Sequence, residues 1–381
     1  MKKVTNITFI LVLFIIMFGG LVKPIVNEEK DNYYENRPAY LMPDFTIESL
    51  INKTYQDEFE KALSDQLPLA TRMKQVQKNL GTLTKIMYSL SSKDSFVNLE
   101  GILLKDNYLL YQSTNINDIK QNIDAKIDNI NLAVKENKKT EFYLYYIEKD
   151  TDIDFITNEK SNIYQYMDEK LASKINKDVF EINNFTDYKN YFYKTDHHWN
   201  HKGSYKAYLE LCEMFSLKPL LYEKELDLGQ TWSGSKARQI GGDLLFRERF
   251  KAYRFNFEEH KTYINNIEVP EYGNTKSCFE GETEGISYGY FYGDDNGLVE
   301  FDYNDNKKEN LLIVGESYDN AINELLASHF NKTYNVDLRA YESDIGKKFE
   351  LKRFLKEKNI DKVLLIGNRD FYTSETFNLI N

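Results

Sequence analysis

The sequence predicts an α/β fold in which helices cover both faces of a mainly parallel β-sheet. Residues 311–314 (Leu-Leu-Ile-Val) form an uninterrupted apolar run, as expected of a strand that is buried on both faces. From this run to the end of the chain, strand-like and helix-like segments alternate, which is typical of a parallel sheet covered by helices. Apolar residues also recur every three or four positions over 116–134, and this spacing predicts an amphipathic helix that leads into a strand over 141–147.

The remaining elements follow in order. The patterns predict a helix over 163–175, a short strand over 179–182 and a helix over 202–215. Within 253–303, alternating or aromatic stretches such as 261–264 and 287–292 are separated by turns that contain Gly and Asp. These stretches predict antiparallel strands inserted into the α/β body. After the strand at 311–314, we expect a helix over 321–326, strands over 334–338 and 363–366, and a helix between those two strands.

Length and composition limit the class of protein. The chain has 381 residues, of which 41% are hydrophobic, so it can bury a sizeable core in one large domain or two small ones. The net charge of −11 argues against nucleic acid as a partner, because that binding rests on clustered Lys and Arg. The 29 Tyr and 24 Phe suit either stacking on sugar rings or ordinary core packing. Two cysteines, Cys212 and Cys278, make no disulfide framework, and we expect no bridge between them.

The N-terminus carries a membrane-targeting pattern. Lys2 and Lys3 precede an uncharged, mostly apolar run over 4–22, which is at the short end for a membrane-spanning helix. It is either a signal-peptide core or an uncleaved anchor. Because no small-x-small cleavage site ends it, we expect a retained anchor over 1–24 whose N-terminus lies in the cytoplasm. A tether over 25–39 and one globular domain over 40–381 would then lie outside the cytoplasmic membrane.

Three of the five histidines fall together beside Asp196: His197, His198 and His201. A histidine can exchange a proton near neutral pH, and an aspartate can orient it and stabilise its charged form. Asp196 and His198 are two positions apart, so in an extended or turn segment both point to one side, while His197 faces away from them, toward the surrounding structure. The alternatives are a zinc site built from the three histidines and a purely structural cluster.

Ser317 is the candidate nucleophile. It follows the apolar strand and Gly315, which permits a tight turn, and open α/β sheets place their sites at the carboxyl ends of strands. Because a helix is predicted to follow, the backbone N–H of Ser317 would lie at a helix N-terminus and donate to a developing oxyanion. The alternative is that Ser317 only caps that helix. Together with Asp196 and His198, it predicts a serine triad.

The run 193–200 (Tyr-Lys-Thr-Asp-His-His-Trp-Asn), with Gly203 and Ala207 behind it, resembles the signature of the DHHW proteins. These are similar to the extracytoplasmic, SGNH-hydrolase-like enzymes of alginate O-acetylation. The resemblance covers nearly the whole soluble part of the chain. Further segments that resemble this family are Asn36-Arg37 with Pro43, Asp65-Gln66-Leu67-Pro68 with Arg72, 311–318, and Asp337-Leu338-Arg339.

The resemblance implies an SGNH-hydrolase-like sheet and a triad of Asp196, His198 and Ser317. Because the Asp and the His precede the Ser, the order of the chain resembles a circular rearrangement of an ordinary SGNH hydrolase. Glu316 stands where SGNH enzymes usually have Asp, which is a mild departure from the pattern.

Four further residues are candidates for oxyanion or substrate contacts. Asn368 and Arg369 follow the strand predicted over 363–366 and would lie at the same end of the sheet as Ser317; their alternative is that of ordinary polar loop residues. Tyr318 is next to the nucleophile. Trp199 would either form a wall of the cleft against a sugar or pack in the core.

By resemblance, the protein is expected to be a membrane-anchored O-acetyltransferase that acts on a cell-surface or secreted polysaccharide without a metal or another cofactor. Cytoplasmic acetyl-CoA could not reach this domain, so a multispanning membrane O-acyltransferase is the implied acetyl donor. The alternatives are a polysaccharide deacetylase or esterase, and a non-catalytic carbohydrate-binding assembly protein. Whether a sugar hydroxyl or water takes the acyl group does not follow from the sequence.

Overall fold

The structure, a computed structural model, describes residues 31–32, 37–67, 70–92, 96–281 and 285–380. The anchor predicted over 1–24 and most of the tether predicted over 25–39 lie outside the described residues. None of the helices in the described part combines the length and apolarity that a bilayer crossing requires. The predicted boundaries of the anchor, tether and domain therefore stay predictions.

Short and medium-length helices make up much of the described chain. In chain order they are α1 (Ile47–Ile51), α2 (Thr54–Gln66), α3 (Ala70–Ser92), α4 (Ile116–Glu136), α5 (Ile163–Lys170), α6 (Phe185–Tyr191), α7 (His201–Met214), α8 (Ser235–Gln239), α9 (Thr275–Glu280), α10 (Tyr288–Tyr292), α11 (Asn323–Ala327), α12 (Tyr341–Ile345), α13 (Leu351–Glu357) and α14 (Arg369–Thr373). A 3₁₀ helix over Asp319–Ala321 precedes α11.

Strands are distributed along the whole described chain. In order they are β1 (Asp31–Asn32), β2 (Arg37–Pro38), β3 (Val97–Leu99), β4 (Ile102–Lys105), β5 (Tyr108–Tyr111), β6 (Glu141–Ile147), β7 (Ile153–Asp154), β8 (Glu159–Lys160), β9 (Asn176–Phe180), β10 (Lys224–Trp232), β11 (Glu248–Arg254), β12 (Lys261–Ile264), β13 (Ile267–Val269), β14 (Leu298–Asp302), β15 (Asn310–Gly315), β16 (Lys332–Asp337) and β17 (Lys362–Gly367).

The chain divides into two compact units. Of the described residues, those up to 107 and those over 233–247 form the first unit, and those over 108–232 and from 248 onward form the second. In the first unit, helix α3 contacts the segment that follows α8, because the hydroxyl of Thr82 donates a hydrogen bond of 2.9 Å to the carbonyl of Ile240. Strands β3 and β4 form an antiparallel hairpin in the same unit.

An eight-stranded sheet forms the centre of the second unit, in the order β13-β12-β14-β16-β15-β17-β6-β9. The five strands from β16 to β9 pair in parallel, whereas β14, β12 and β13 extend the sheet with antiparallel pairing. Strands β10 and β11 pair as a separate antiparallel ribbon. The α/β class, the parallel sheet and the inserted antiparallel segment are therefore confirmed.

Helices cover both faces of this sheet because successive side chains of a strand point to opposite sides. Phe142 and Leu144 of β6 belong to a buried cluster that also contains residues of α4, α5, α13 and α14. Tyr145, which follows Leu144 and therefore points to the other face, donates its hydroxyl to Glu210 of α7. Each large apolar side chain buried in this way stabilises the fold by about 1.5–3 kcal/mol.

The strand predicted over 287–292 was wrong. This segment contains helix α10, and its N-cap is Ser287, whose hydroxyl accepts a hydrogen bond of 3.2 Å from the backbone N–H of Tyr290. The buried side chains of α10 are Tyr288 and Phe291, three positions apart, which is the spacing of one helical face. The capping serine and the spacing of three thus outweigh the strand preference of the aromatic residues.

Parallel pairing places the carboxyl ends of β15, β16, β17 and β6 along one edge of the sheet. The residues that follow these ends include Ser317 after β15, Arg339 after β16, Asn368 after β17 and Lys149 after β6. Functional groups of open α/β sheets collect at this edge.

Candidate active site

The Asp-His-His-Trp run lies in a tight loop between α6 and α7, which we call the histidine loop (192–200). Phe192 and Trp199 form an isolated antiparallel bridge across its base. The backbone N–H of Tyr193 donates to the carbonyl of His198 at 3.2 Å. The four residues between Tyr193 and His198 are therefore held in a narrow turn.

Helix α7 fixes the end of the histidine loop. The side chain of Asn200 caps α7 by accepting hydrogen bonds from the backbone N–H groups of Lys202 and Gly203. A Cβ on Gly203 would lie 2.2 Å from the carbonyl oxygen of Tyr191 and 2.9 Å from the Cβ of Trp199. Only glycine allows the helix to approach the base of the loop this closely, which gives a structural reason for the glycine of the motif.

Glu248 of β11 holds the other side of the loop. Its carboxylate accepts from the backbone N–H of Lys194 at 3.0 Å, and from the backbone N–H and the hydroxyl of Thr195 at 2.7 Å each. Burial raises the pKa of Glu248, while these hydrogen bonds oppose that rise. Sequence reasoning missed this residue because nothing near Glu248 in the sequence marks its partner 53 positions away.

Asp196, His198 and Ser317 form a continuous hydrogen-bonded relay. Oδ1 of Asp196 lies 2.6 Å from Nδ1 of His198 and also accepts from the backbone N–H of that histidine at 3.0 Å. Nε2 of His198 lies 2.8 Å from Oγ of Ser317. A carboxylate only accepts, so Nδ1 carries the ring proton and Nε2 is left to accept from the serine hydroxyl. Asp196 and His198 are 3% and 7% exposed, whereas Ser317 is half-buried and can be reached from solvent.

Tyr288 of α10 is a site residue that the sequence did not indicate. Its ring stacks on the ring of His198, with centroids 3.8 Å apart and planes 5° from parallel. Its buried hydroxyl donates to the carbonyl of Tyr318 at 3.1 Å and accepts from Nε1 of Trp199 at 3.2 Å. The aromatic face holds the imidazole in its plane and favours the imidazolium that forms when His198 takes a proton.

Two of the predicted contact residues support the histidine loop from inside. Trp199 has no exposed surface and packs its indole against the rings of Phe180 and Tyr318. It therefore cannot form a wall against a sugar, and the packing alternative fits. Tyr318 is also buried, and its hydroxyl donates to the carbonyl of His197.

The prediction that His197 faces away from Asp196 and His198 was wrong. Its ring is partly exposed and lies 3.9 Å, centroid to centroid, from the ring of His198. Ligand atoms of Asp196, His197 and His198 lie within 4.8 Å of one another, so their spacing would admit a metal ion. Both ring nitrogens of His198 have protein partners, however, and His201 lies apart from this group, 3.4 Å from Glu225. The zinc site of three histidines is therefore not assembled in the described part of the chain.

The turn that carries Ser317 differs from the predicted strand-to-helix junction. The 3₁₀ helix over Asp319–Ala321 and the five residues of α11 follow it, with Tyr318 and Ile322 at their N-cap positions. Ser317 thus caps neither helix, and the two helical segments that follow it have only three and five residues. Gly315 is needed for space rather than for the turn, because a Cβ there would lie 1.9 Å from a carboxylate oxygen of Asp319.

A charged group that we call the strand-end cluster (Asp295, Glu316, Asp337 and Arg339) lies beside Ser317. Nη2 of Arg339 contacts Oδ2 of Asp337 at 2.5 Å and Oδ2 of Asp295 at 3.0 Å, and its Nη1 is 3.9 Å from Glu316. Burial raises the pKa of Glu316 to about 7, against the opposing effect of Arg339. A cavity of about 210 Å³ borders this cluster and is lined partly by Glu316, Asp337 and Arg339.

Asn368 and Arg369, the oxyanion candidates, lie after β17 as predicted. The amide nitrogen of Asn368 donates to Glu316 at 2.8 Å, and its oxygen caps α14 by accepting from the N–H of Asp370 at 2.7 Å. The guanidinium of Arg369 donates to Thr114 and to Asp370. Both side chains are engaged with other parts of the protein, and their role as oxyanion or substrate contacts stays a prediction.

Comparisons with known proteins found solved structures that share this fold. No protein-family model and no curated protein sequence matches the chain. A structure of Bacillus cereus PatB1 with a sulfonyl adduct is similar at a TM-score of 0.55 and 20% identity, over 74% of this chain and 98% of that chain. A DHHW family protein from Eubacterium siraeum is similar at a TM-score of 0.53 and 17% identity, over 76% and 99%. The resemblance to the DHHW proteins is therefore confirmed at the level of the fold.

Proposed function

We propose that this protein is an extracytoplasmic serine acyl-transfer enzyme, acting as an O-acetyltransferase on a cell-surface or secreted polysaccharide. The observation that carries the proposal is the position of His198, which lies 2.6 Å from Asp196 on one side and 2.8 Å from Ser317 on the other. An imidazole held between a carboxylate and a hydroxyl is the arrangement that activates a serine.

In the first half-reaction, Oγ of Ser317 attacks the carbonyl carbon of the acetyl donor while Nε2 of His198 removes the hydroxyl proton. Asp196 stabilises the resulting imidazolium, and the stacked ring of Tyr288 keeps it in place. The backbone N–H of Ser317 contributes to stabilising the oxyanion. When the intermediate collapses, the imidazolium gives its proton to the leaving oxygen, and an acetyl ester remains on Ser317.

In the second half-reaction, a sugar hydroxyl attacks the acetyl-serine while His198 takes its proton. Collapse of the second intermediate returns a proton to Oγ and releases the acetylated sugar. Water in place of the sugar would make the same residues an esterase. The likeness to PatB1, whose structure has been determined with a sulfonyl adduct, supports the proposal, because activated hydroxyl groups form such adducts.

The location and the donor belong to the same proposal. The apolar run over 4–22 would anchor the chain in the cytoplasmic membrane and leave residues 40–381 outside. A multispanning membrane O-acyltransferase would then carry acetyl groups across the bilayer to Ser317. The mass of the mature protein tests the anchor, since loss of about the first 24 residues would show that the segment is a cleaved signal peptide.

The test of the chemistry is hydrolysis of p-nitrophenyl acetate by the whole chain, by Ser317→Ala and, as a matched control, by Ser343→Ala, which removes an exposed serine hydroxyl in α12. We expect the Ser343 variant to keep the wild-type rate and the Ser317 variant to lose several orders of magnitude. Retention of the wild-type rate by Ser317→Ala would contradict the assignment. Product analysis with a polysaccharide acceptor present then separates transfer from hydrolysis.

A further inference from the structure

Exposed apolar side chains are concentrated in the first unit. In the described part of the chain, thirteen of the twenty large apolar side chains that are exposed belong to this unit, which is the smaller of the two. Single exposed apolar residues are normal on a protein surface, whereas a group of them marks a surface that another molecule covers. An interaction surface is therefore expected on the first unit.

Five of these side chains form a line along helix α3. We call this line the α3 seam, and it consists of Met73, Val76, Leu80, Leu83 and Met87. Its members are between 40% and 71% exposed. The side of α3 that packs within the unit carries Thr82, which is buried and donates to the carbonyl of Ile240 at 2.9 Å. An amphipathic helix of a soluble domain normally turns its apolar side inward. In α3 the apolar side faces outward, so we expect a partner to cover it.

The spacing within the α3 seam is that of a coiled coil. Successive members are alternately three and four residues apart, which gives a repeat of about 3.5 residues. Two helices with this repeat pack along their seams, because each side chain of one helix fits between those of the other. The seam extends over about four helical turns, which is long enough for such a contact.

Polar and charged residues restrict what can cover the seam. Gln77 and Thr84 are exposed and adjoin the seam on one side, so the apolar strip is narrow. A helix that lies on a lipid bilayer has a broader apolar face. The three lysines of α3 (Lys74, Lys78 and Lys85) lie on the other side of the helix. Two copies of the seam can therefore meet without bringing these charges close together.

The area of the seam also fits a contact between two copies. Five side chains of this size and exposure on each of two chains would bury about 1,000 Å² in total, which is near the lower limit of specific interfaces.

We propose that the α3 seam is the interface of a homodimer, in which α3 packs lengthwise against α3 of a second copy of this chain. Leu80 is the middle member of the seam, so it meets the same residue of the partner whether the two helices run parallel or antiparallel. The dimer goes beyond acyl transfer and is independent of the chemistry at Ser317.

Disulfide cross-linking of the whole chain in vesicles of phosphatidylcholine and phosphatidylglycerol tests this contact. With copper phenanthroline as the oxidant, Leu80→Cys should give a covalent dimer on non-reducing electrophoresis. Lys85→Cys changes an exposed position on the other side of α3. It should cross-link at least about tenfold more slowly, because a disulfide requires the two Cα atoms to lie within about 7 Å. The wild type, whose Cys212 and Cys278 are buried, measures the background.

A charge placed in the seam provides a second measurement. Adding Val76→Glu to Leu80→Cys should abolish the cross-link, because the dimer would bury an unpaired carboxylate. The matched change Leu132→Glu, at an exposed leucine of α4 in the second unit, should preserve it. Ser317→Ala should preserve it as well, so this test does not depend on the proposed enzymatic activity.

Equal rates of cross-linking for Leu80→Cys and Lys85→Cys, or a cross-link that survives Val76→Glu, would overturn the proposal. The same holds if Leu80→Cys gives no cross-link above the background. Shielding of Met73 and Met87 from hydrogen peroxide by the vesicles would then indicate that the lipid bilayer covers the seam instead.

Discussion

The two sides of Ser317 are built from different chemistry. On one side the histidine loop packs its His198 and Trp199 rings against Tyr288 and Tyr318, and its relay residues are almost fully buried. On the other side the strand-end cluster consists of Arg339 and three carboxylates, and the side chain of Arg339 is 40% exposed.

The difference indicates that the aromatic side fixes the geometry of the relay and that the strand-end cluster holds charged groups in ion pairs. A proton relay needs one tautomer and one ring orientation, and buried aromatic packing with hydrogen bonds to Asp196 provides both. The strand-end cluster is instead held by ion pairs whose strength depends on protonation and on solvent. The relay side is thus expected to determine the rate of catalysis, and the cluster side to determine how stability depends on pH.

Replacing His198 should have the largest effect. His198→Ala removes the only ring within hydrogen-bonding distance of Ser317 Oγ among the described histidines, so kcat for ester hydrolysis should fall by about 10⁴-fold or more. The matched variant His197→Ala removes the neighbouring, partly exposed ring and should change kcat by less than about tenfold. Steady-state kinetics on p-nitrophenyl acetate compare the two. An equal loss in both variants would mean that the relay runs through a different ring.

Asp196→Asn should have the second-largest effect. An amide in place of the carboxylate can donate to Nδ1 of His198, which would move the ring proton to Nε2 and prevent it from accepting from Ser317. We expect kcat to fall by roughly 10³- to 10⁴-fold with little change in thermal stability. A fall of only a fewfold would contradict the role of Asp196 in setting the tautomer.

Two substitutions of Tyr288 test whether its stacked ring holds the imidazole of His198 in position. Tyr288→Phe keeps the stack on His198 and loses the hydrogen bonds of the hydroxyl, so kcat should stay within about threefold while unfolding becomes easier by about 1–2 kcal/mol. Tyr288→Ala loses the stack too, and kcat should fall by about tenfold or more at a temperature where the variant is folded. If the Phe variant is as slow as the Ala variant, the hydroxyl rather than the stack positions the imidazole.

The smallest effect is expected in the strand-end cluster, where a substitution should change how the free energy of unfolding depends on pH. The pKa of Glu316 is about 7 in the folded protein, above its ordinary value of 4.5, so the folded state binds this proton more tightly than the unfolded state does. The stabilisation of the folded state that comes from this tighter proton binding is fully present below pH 4.5 and is lost as pH rises through 7. Glu316→Gln cannot ionise, so its stability relative to the wild type should rise between pH 5 and pH 8 by about 1–3 kcal/mol.

Urea unfolding at several pH values measures this difference. Glu136→Gln, which replaces an exposed carboxylate of α4, is the control and should track the wild type across the same range. Parallel stability curves for wild type and Glu316→Gln would show that Glu316 titrates alike in the folded and unfolded chain.

Local patterns predicted much of the second unit. The helix α4, the strand β6 and the final strands have strong periodicity or unbroken apolar runs, and the Asp-His-His-Trp run is specific enough to find Asp196, His198 and the serine beyond β15. These features depend on neighbours in the sequence. The helix α10 was missed because an aromatic run has the composition of a strand, and the capping role of Ser287 is a weaker signal.

The supports of the site could not be read from the sequence for a different reason. Glu248 and Tyr288 contact the histidine loop from distant parts of the chain, and nothing in their own surroundings marks that contact. The burial of Trp199 likewise depends on how Phe180 and Tyr318 pack around it. After β17, Asn368 donates to Glu316, which is 52 positions away in the sequence. The two residues come close only because their strands are neighbours in the folded sheet.

The most direct test of the central claim is covalent labelling of the whole chain with phenylmethylsulfonyl fluoride, followed by intact-mass measurement and peptide mapping. Activation of Ser317 by His198 predicts a single sulfonyl adduct on Ser317, no adduct in Ser317→Ala and much slower labelling in His198→Ala. Labelling of Ser317→Ala to the same extent as the wild type, or an adduct that maps to another residue, would contradict the assignment of Ser317 as the activated nucleophile.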